Sequence, residues 1–480
     1  MVQYRPRCLT KSILFPSLLI LAFLTLAACG YVGYYTRQAH RQQTFRYFPS
    51  VSALNEIRPE DSLILSGTIV RLQKREEPLL LVAVSSKYQQ NEKVDLVQLQ
   101  VASDSYMAFL PPGNYDLYVF ADLDGDGDFD SEELVGRASA VIAAGHPRND
   151  AIVQGPAIVI DREHPQEAAF RVNEKVRPTS YVYTSLDDEF FDTAYGTTGL
   201  FNPASFIAHT QGFLFSLEKY DDAKTTVLFI HGISGTPRDW KFIAEGLDRS
   251  RFQPFFFYYP SGLPLDKLGT LLSQIISTID RHSITSRRKI VLAAHSMGGL
   301  VALSAINKLA ADGFPASLKL YCSFSTPYAG DEEARRGVET APLVVPVWRD
   351  IAARSEFLQD LVKNPFPKQL PFYLYFSYKD TSRFKLGETS DGAVTLRSQL
   401  VPSLQSAARG VLGFNETHMG ILNSEAARES FLRLLDMVTP RGSNLHMGAN
   451  QNPWTSSGDL EGWHSAAERD VPRHRNIATN

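Results

Sequence analysis

The chain has little net charge, few cysteines and no internal repeat. Its 480 residues carry a formal net charge of −4 at pH 7 and contain no long run of lysine and arginine. Without a basic patch there is no electrostatic basis for binding a polyanion, so a nucleic-acid partner is not expected. The hydrophobic content of 44% and charged content of 21% are ordinary for a globular chain of two or three domains.

The first residues have the pattern of a targeting segment. Arg5, Arg7 and Lys11 precede an apolar run over residues 13–28, and polar sequence follows soon after. A short apolar run behind a basic start is typical of a signal peptide, which is removed from the mature protein. The alternative is an uncleaved membrane-spanning helix, for which this run is short.

The end of this run resembles the lipobox of bacterial lipoproteins, with Leu-Ala-Ala-Cys at residues 26–29. The resemblance implies a signal peptide over residues 1–28, cleavage before Cys29 and acylation of the Cys29 thiol. Two or more acyl chains hold a protein stably on a membrane, whereas one chain is marginal. Because Gly30 rather than Asp follows, the resemblance implies an outer-membrane location in the envelope of a Gram-negative bacterium.

The three cysteines exclude a disulfide framework. Cys8 lies in the predicted signal peptide and Cys29 would be acylated, so Cys322 alone remains in the folded part. Cys322 lies in an apolar stretch at 318–324, where we expect a small buried hydrophobic residue rather than a catalytic thiol.

Two patterns precede the main domain. Residues 29–55 are polar and aromatic without a sustained period, which predicts a tether. Over residues 56–175, short apolar or alternating runs are separated by turn residues, which predicts a small all-β sandwich domain of immunoglobulin or prealbumin type. The predicted strands of this domain are 63–65, 79–84, 94–101, 114–120, 138–143 and 157–160.

Residues 176–440 alternate between strand and helix patterns, which predicts a parallel sheet covered by helices on both faces. Residues 441–480 are polar and lack a period, which predicts a disordered tail. The predicted strands are 226–230, 254–259, 289–293, 318–324 and 372–378, and the predicted helices are 240–247, 265–279 and 298–311.

A strand, a tight turn and a helix start meet at Ser296. An apolar strand ends at Ala294, and His-Ser-Met-Gly-Gly follows at 295–299. This context is typical of a nucleophile elbow, which exposes the serine hydroxyl at a helix N-terminus. Ala294 replaces the first glycine of the G-x-S-x-G pattern. In this replacement the segment resembles some bacterial lipases. The alternative role for Ser296 is a helix N-cap.

A serine nucleophile needs a base, normally a histidine held by a carboxylate. The elbow resembles that of the α/β-hydrolases, in which the chain order is serine, acid, histidine. His418 is the only histidine between the last predicted strand and the polar tail. We therefore expect His418 to be the base, with a surface helix cap as its alternative role. The other candidates, His446, His464 and His474, lie in the tail, where nothing would position them.

Two aspartates follow the predicted strand 372–378. Asp391 begins the string Asp-Gly-Ala-Val at 391–394, which resembles the acid-bearing D-G-x-V loop of many bacterial lipases. Asp380 stands at the strand end, where an aspartate also serves as an ordinary turn residue. We therefore expect Asp391 to be the acid, and Asp380 is the alternative.

The loop at 231–237 follows a buried strand and resembles the His-Gly oxyanion loop of lipases. The resemblance implies that Ile233, the residue after His-Gly, donates its backbone N–H to the oxyanion of the tetrahedral intermediate. Met297, the residue after the nucleophile, would supply the second donor. His231 would then be structural rather than the base. The resemblance extends over about residues 227–418.

Residues 331–370 insert a helical, apolar stretch between two predicted strands. Such an insertion can be a cap over the site that binds an acyl chain. The alternative is an ordinary helix packed on the core of the sheet, and the sequence favours neither.

An acidic loop follows the strand 114–120. Counted from its first aspartate, carboxylates stand at positions one, three, five, seven and nine, glycine at six and glutamate at twelve, which is the pattern of a calcium loop. Without a cation these carboxylates would repel one another. The loop resembles those of extracellular β domains, and a solvated acidic turn is the alternative. The predicted Ca²⁺ ligands are Asp122, Asp124, Asp126, Asp128, Asp130 and Glu133.

These patterns predict a lipid-anchored lipase or esterase that cleaves a small-molecule or lipid ester through an acyl-enzyme intermediate. No cofactor is expected for catalysis, and Ca²⁺ would be structural. The same catalytic residues would also serve an acyltransferase, thioesterase, amidase or peptidase. A third interpretation is a binding lipoprotein whose hydrolase domain is inactive.

Overall fold

The computed structural model describes most of the chain between residues 31 and 441. The predicted signal peptide, the predicted tether except residues 31–35, the predicted acylation site Cys29 and almost all of the predicted tail lie outside the described residues. Among the residues described, no helix combines the length and the hydropathy that a membrane span requires. The described ranges are 31–35, 63–73, 79–85, 97–101, 105–110, 112–124, 129–143, 152–168, 182–210, 213–281, 288–379 and 389–441.

The described residues between 63 and 160 form eight strands in two four-stranded sheets. In one sheet, β1 pairs antiparallel with β4 and parallel with β7 and β8. The other sheet is antiparallel in the order β3-β2-β5-β6. The strands are β1 (Leu63–Arg71), β2 (Leu79–Ser85), β3 (Val97–Val101), β4 (Ser105–Leu110), β5 (Gly113–Ala121), β6 (Leu134–Ile142), β7 (Ile152–Gln154) and β8 (Ile158–Ile160).

Seven further strands form one mostly parallel sheet, in the order β15-β14-β13-β12-β10-β11-β9, in which only β9 runs antiparallel to its neighbour. This arrangement confirms the predicted parallel sheet. The strands are β9 (Leu214–Ser216), β10 (Thr225–Ile230), β11 (Phe252–Phe257), β12 (Ile290–His295), β13 (Leu318–Phe324), β14 (Phe372–Ser377) and β15 (Gly410–Phe414).

Helices precede the sheet and connect its strands. They are α1 (Thr193–Phe201), α2 (Pro203–Thr210), α3 (Lys241–Glu245), α4 (Leu265–Arg281), α5 (Met297–Asp312), α6 (Glu332–Thr340), α7 (Pro346–Ile351), α8 (Glu356–Lys363), α9 (Leu396–Gln399), α10 (Pro402–Ala407) and α11 (Glu425–Val438).

Helices cover both faces of the parallel sheet, so its central strands are mostly apolar and buried. Every residue of β10, β11 and β12 is buried. Alternate side chains point to opposite faces of a strand. Leu228 and Leu292 accordingly pack in the cluster that contains α4 and α5, whereas Val227 and Val291 pack with α3 and α11. This two-sided burial fixes the carboxyl ends of β12, β13 and β14 at one edge, where the candidate site lies.

The insertion at 331–370 contains α6, α7 and α8. Val347 in α7 and Leu358 in α8 are buried in the main core, whereas α6 contributes no buried residue. Two hydrogen bonds attach the insertion to the helices below it: the Asn307 amide donates to the Leu361 carbonyl (3.0 Å), and the Leu265 N–H donates to Asp350 (2.7 Å). The insertion is therefore packed on α4 and α5 through its second and third helices.

Cys322 lies in the middle of β13 and is fully buried. Burial raises the pKa of its thiol well above the ordinary value. A protonated, buried thiol is a poor nucleophile, which agrees with the packing role predicted from the sequence.

Candidate active site

Ser296 forms the turn between β12 and α5. Its backbone has φ 54° and ψ −131°, a conformation that a residue with a side chain rarely adopts. The Ser296 N–H donates to the carbonyl of Phe324 at the end of β13 (2.8 Å), which ties the turn to the sheet. Strain of this kind persists only where the surrounding structure imposes it, and it is typical of a nucleophile elbow.

The elbow depends on glycines where chains approach closely. A Cβ at Gly298 would clash with the carbonyl oxygen of His231, and one at Gly299 would clash with the Thr326 side chain. A Cβ at Gly232 would lie 2.9 Å from the Cβ of Ser296. The loop after β10 therefore passes directly beside the serine, and only residues without a side chain fit at these positions.

The structure brings together the three residues predicted to form the catalytic group. The Nε2 of His418 lies 2.8 Å from the Oγ of Ser296, and its Nδ1 lies 2.8 Å from the Oδ2 of Asp391. The His418 backbone N–H also donates to the Asp391 carbonyl (2.9 Å). With the Nδ1 proton directed at the carboxylate, Nε2 is free to accept the serine proton. The alternative acid, Asp380, lies outside the described residues.

Asp391 is 1% exposed, and its two carboxylate oxygens are held by several donors. Oδ1 accepts the backbone N–H groups of Ala393 (3.0 Å) and Val394 (2.7 Å). Oδ2 accepts the Ser377 hydroxyl (2.7 Å) and the Gln399 amide (3.2 Å) in addition to His418. Burial by itself raises the pKa of Asp391, but the hydrogen bond and charge of His418 and the other donors outweigh it, and the pKa is lowered. The carboxylate therefore stays charged in an interior position.

The positions of Ser377 and Gln399 around the acid were not predicted from the sequence. Gln399 is buried; its Oε1 accepts the Ser377 N–H (3.0 Å), and its Nε2 donates to the Ser377 carbonyl (3.0 Å) as well as to Asp391. Gln399 thus joins the end of β14 to the loop that carries Asp391. Its only sequence signal is its place eight residues after Asp391, and that spacing carries no chemical meaning until the loop is folded.

Two other histidines lie near the site, and neither is placed to act as the base. The His231 ring lies 2.8 Å from the Gly232 carbonyl through Nδ1, and its Nε2 accepts the Tyr259 N–H (3.2 Å). The His295 Nε2 lies 2.9 Å from the carbonyl of His418. Burial lowers the pKa of His231 to about 4 and that of His295 to about 3. Both rings are therefore neutral near pH 7, with nitrogens already engaged by the backbone.

The two predicted oxyanion donors lie on either side of Ser296. Met297 is the first residue of α5, so its N–H has no acceptor within the helix. Ile233 follows Gly232 in the loop that passes beside Ser296, and Ser234 in the same loop has a positive φ of 53°. Within the described part of the chain, neither N–H donates a backbone hydrogen bond. Both are therefore available to a substrate oxygen.

Residues 221–351 match the family model described as "Putative serine esterase (DUF676)". This segment contains Ser296 and both predicted oxyanion donors, and it ends before Asp391 and His418. No curated protein matches the chain.

Solved structures similar to this chain include hydrolases from bacteria and mouse. Mature lipase BlEst2 from Bacillus licheniformis is 18% identical over 46% of this chain and 98% of its own, with a TM-score of 0.38. Phospholipase PlaB from Legionella pneumophila is 14% identical over 37% of this chain and 45% of its own (TM-score 0.30). Mouse alpha/beta hydrolase domain-containing protein 10 is 15% identical over 47% of this chain and 92% of its own (TM-score 0.30).

The parallel sheet, the elbow after β12 and the chain order of Ser296, Asp391 and His418 decide the fold. The larger part of this chain has the α/β-hydrolase fold. In this fold, functional residues lie in loops at the carboxyl ends of the parallel strands, and all three residues here occupy such loops.

The acidic loop of the N-terminal strands lies outside the α/β-hydrolase sheet. Oxygen atoms of Asp122, Asp124 and Glu133 lie within 4.8 Å of one another, and Asp130 is not part of this group. Glu133 is buried; one of its oxygens accepts the Leu123 N–H (2.7 Å) and the other the Asp130 N–H (2.9 Å). Burial is the largest effect on Glu133 and raises its pKa. The remaining predicted ligands, Asp126 and Asp128, lie outside the described residues.

Proposed function

We propose that this α/β-hydrolase cleaves carboxylic esters through an acyl-enzyme intermediate on Ser296. The observation that carries the proposal is the hydrogen-bonded series from Ser296 through His418 to Asp391, with the serine on a strained turn beside two available N–H groups. The family match of residues 221–351 supports an ester as the substrate class.

The proposed reaction has two steps that use the same groups. His418 Nε2 takes the Ser296 hydroxyl proton as the oxygen attacks the ester carbonyl, and the N–H groups of Ile233 and Met297 stabilise the oxyanion. His418 then protonates the departing alcohol, which leaves the acyl group on Ser296. Water, deprotonated by His418, then attacks the acyl carbon. The bond from the Ser296 Oγ to that carbon breaks, His418 returns the proton to Oγ, and the acid is released. Throughout, Asp391 keeps the imidazole in the required tautomer and stabilises its charged form.

We further propose that acylated Cys29 anchors the enzyme in a bacterial cell envelope, at the outer membrane. The N-terminal strands would form a separate β-sandwich domain stabilised by Ca²⁺. The clustered carboxylates of Asp122, Asp124 and Glu133 support the calcium site, because a divalent cation would relieve the repulsion between them.

The experiment that tests the activity is labelling with a fluorophosphonate probe, followed by turnover of short p-nitrophenyl esters. We expect the unmodified protein to be labelled and active, and Ser296→Ala to be neither, because the attacking oxygen is lost. The matched control is Ser317→Ala, which removes another buried hydroxyl that has no hydrogen-bond partner among the described residues.

Labelling of the Ser317→Ala control together with Ser296→Ala turnover at the unmodified rate would contradict the proposal. Absence of labelling in the unmodified protein would instead favour the inactive binding lipoprotein. Rates on matched esters, thioesters and amides would separate esterase activity from the thioesterase and amidase alternatives.

A further inference from the structure

Residues 31–35 form a helical turn with two different apolar faces. Residues three apart share a helix face. Tyr31 and Tyr34 form the inner face, and Tyr34 is only 6% exposed. Val32 and Tyr35 form the outer face and are 58% and 44% exposed. The inner face is buried by the hydrolase, whereas the outer pair presents apolar surface outward.

Two hydrogen bonds fix the inner face to the insertion. The Tyr31 hydroxyl donates to the Leu343 carbonyl (3.0 Å), and the Tyr34 hydroxyl donates to the Val344 carbonyl (3.3 Å). Both acceptors lie in the segment that leads into α7. These bonds join residues more than 300 positions apart, so they define where the N-terminal turn sits on the folded enzyme.

Aromatic contacts add to this docking. The Tyr31 ring stacks on Trp348 of α7, with centroids 5.8 Å apart and planes 16° from parallel. Both tyrosines also contact Phe201 at the end of α1, at 6.2 Å and 6.5 Å. Such aromatic pairs stabilise a contact beyond the apolar area that they bury. The turn is therefore held by two elements at once, α1 and the insertion.

These two elements border the active site. In α1, a Cβ at Gly196 would clash with the backbone of Ser234 in the oxyanion loop. The insertion begins at Asp331, whose N–H donates to the Ile351 carbonyl at the end of α7 (2.8 Å). The carbonyl of Gly330, just before the insertion, accepts the hydroxyl of Ser398, which follows the Asp391 loop. The docked turn thus packs on two elements that contact loops of the active site.

We propose that the outer face of this turn, Val32 and Tyr35, is a membrane-contact surface that holds the insertion against the bilayer. The inference rests on the proposed acylation of Cys29. Tyr31 follows Cys29 by two residues, which span at most about 7 Å. A free tether over residues 29–55 would instead allow an r.m.s. separation of about 30 Å. Docking therefore fixes both the distance and the orientation of the enzyme on the membrane.

The chemistry of the exposed pair fits this partner. Tyrosine is enriched at the membrane interface, where its ring contacts acyl chains and its hydroxyl remains hydrated, and an exposed valine beside it adds apolar surface. The substrate class that follows is an ester lipid of the membrane that carries the enzyme. A water-soluble ester would reach Ser296 without this contact.

The test uses the full-length acylated protein in vesicles of phosphatidylethanolamine and phosphatidylglycerol that contain a fluorogenic phospholipid ester. Two rates are measured on the same vesicles: hydrolysis of that lipid and hydrolysis of soluble p-nitrophenyl butyrate. The outer-face variant is Val32→Ser with Tyr35→Ser, and the undocked variant is Tyr31→Ala with Tyr34→Ala. The control is Val141→Ser, which removes a valine of β6 that is even more exposed (70%) than Val32.

We expect both double variants to lower lipid hydrolysis at least fivefold while soluble-ester hydrolysis stays within twofold, and the control to change neither rate. Retained soluble-ester hydrolysis also shows that the variants fold. Equal rates on the lipid for all four proteins, with Cys29 acylated and the soluble ester cleaved, would refute the membrane contact and leave the proposed function standing. Loss of acylation or of soluble-ester hydrolysis in the unmodified protein would overturn the proposed function and this inference with it.

Discussion

Acidification should destabilise this protein because two histidines are buried as neutral rings beside the active site. The pKa of His231 is lowered to about 4 and that of His295 to about 3, against an ordinary value of 6.5. A depressed folded-state pKa contributes stability that is complete above about pH 6.5 and is lost as the pH falls toward 3–4. At pH 5.5 the loss is about 1.4 kcal/mol for each ring, or about 3 kcal/mol together.

A buried aspartate beside the oxyanion loop acts in the opposite direction. Burial raises the pKa of Asp239 to about 6, so protonation at pH 5.5 favours the folded state by about 0.8 kcal/mol. We therefore expect these three groups together to lower the free energy of unfolding by about 2 kcal/mol between pH 7.5 and pH 5.5. Urea unfolding followed by the fluorescence of buried Trp240 measures it.

A variant isolates the contribution of one ring. His295→Gln keeps a donor for the His418 carbonyl but cannot titrate, so its loss of stability over the same pH interval should be about 1.4 kcal/mol smaller. The control is His164→Gln, because His164 is exposed and its pKa is raised by Asp161, so the loss should not shrink. If His295→Gln and the unmodified protein lost the same stability, the buried neutral state of His295 would be refuted.

Three further predictions concern the acid, its support and the calcium loop. Asp391→Asn should lower kcat by orders of magnitude and Asp380→Asn far less, because only the carboxylate that pairs with His418 fixes the imidazole tautomer. Steady-state kinetics measure both effects, and the reverse order would move the assignment of the acid to Asp380. Gln399→Leu should lower the free energy of unfolding by about 2–4 kcal/mol and reduce kcat more than it raises KM, because it leaves buried polar groups of Ser377 unpaired. Gln405→Leu, which loses a single bond to the Leu400 carbonyl, should cost under about 1.5 kcal/mol by the same urea titration. A chelator should lower the melting temperature, and calcium should restore it more than magnesium, since an oxygen cage with a twelfth-position glutamate suits the larger ion. A melting temperature that changes with neither the chelator nor calcium would refute the calcium site and leave the solvated acidic turn.

Much of the hydrolase could be read from local sequence. The apolar run into Ser296 and the small residues after it define a strand, a turn and a helix start within about a dozen positions. The ends of β12 and α5 lie within two residues of the predicted ones. The parallel sheet could be predicted because strands buried on both faces are continuously apolar. The strand β15 was not predicted, since its residues 410–414 alternate in exposure and include two glycines.

The partners around the site were decided by the tertiary structure. Ser296 and His418 are 122 residues apart, and Asp391 receives donors from β14 and α9 that no local pattern relates to it. Periodicity reports which face of an element is buried, but hydrogen bonds depend on how separate elements meet. The sequence alone determined the elbow, the chain order of the candidate residues and the sheet type. Only the folded chain decided that Gln399 holds the acid and that the turn at 31–35, predicted as part of a tether, packs on the insertion, because both depend on contacts between distant segments.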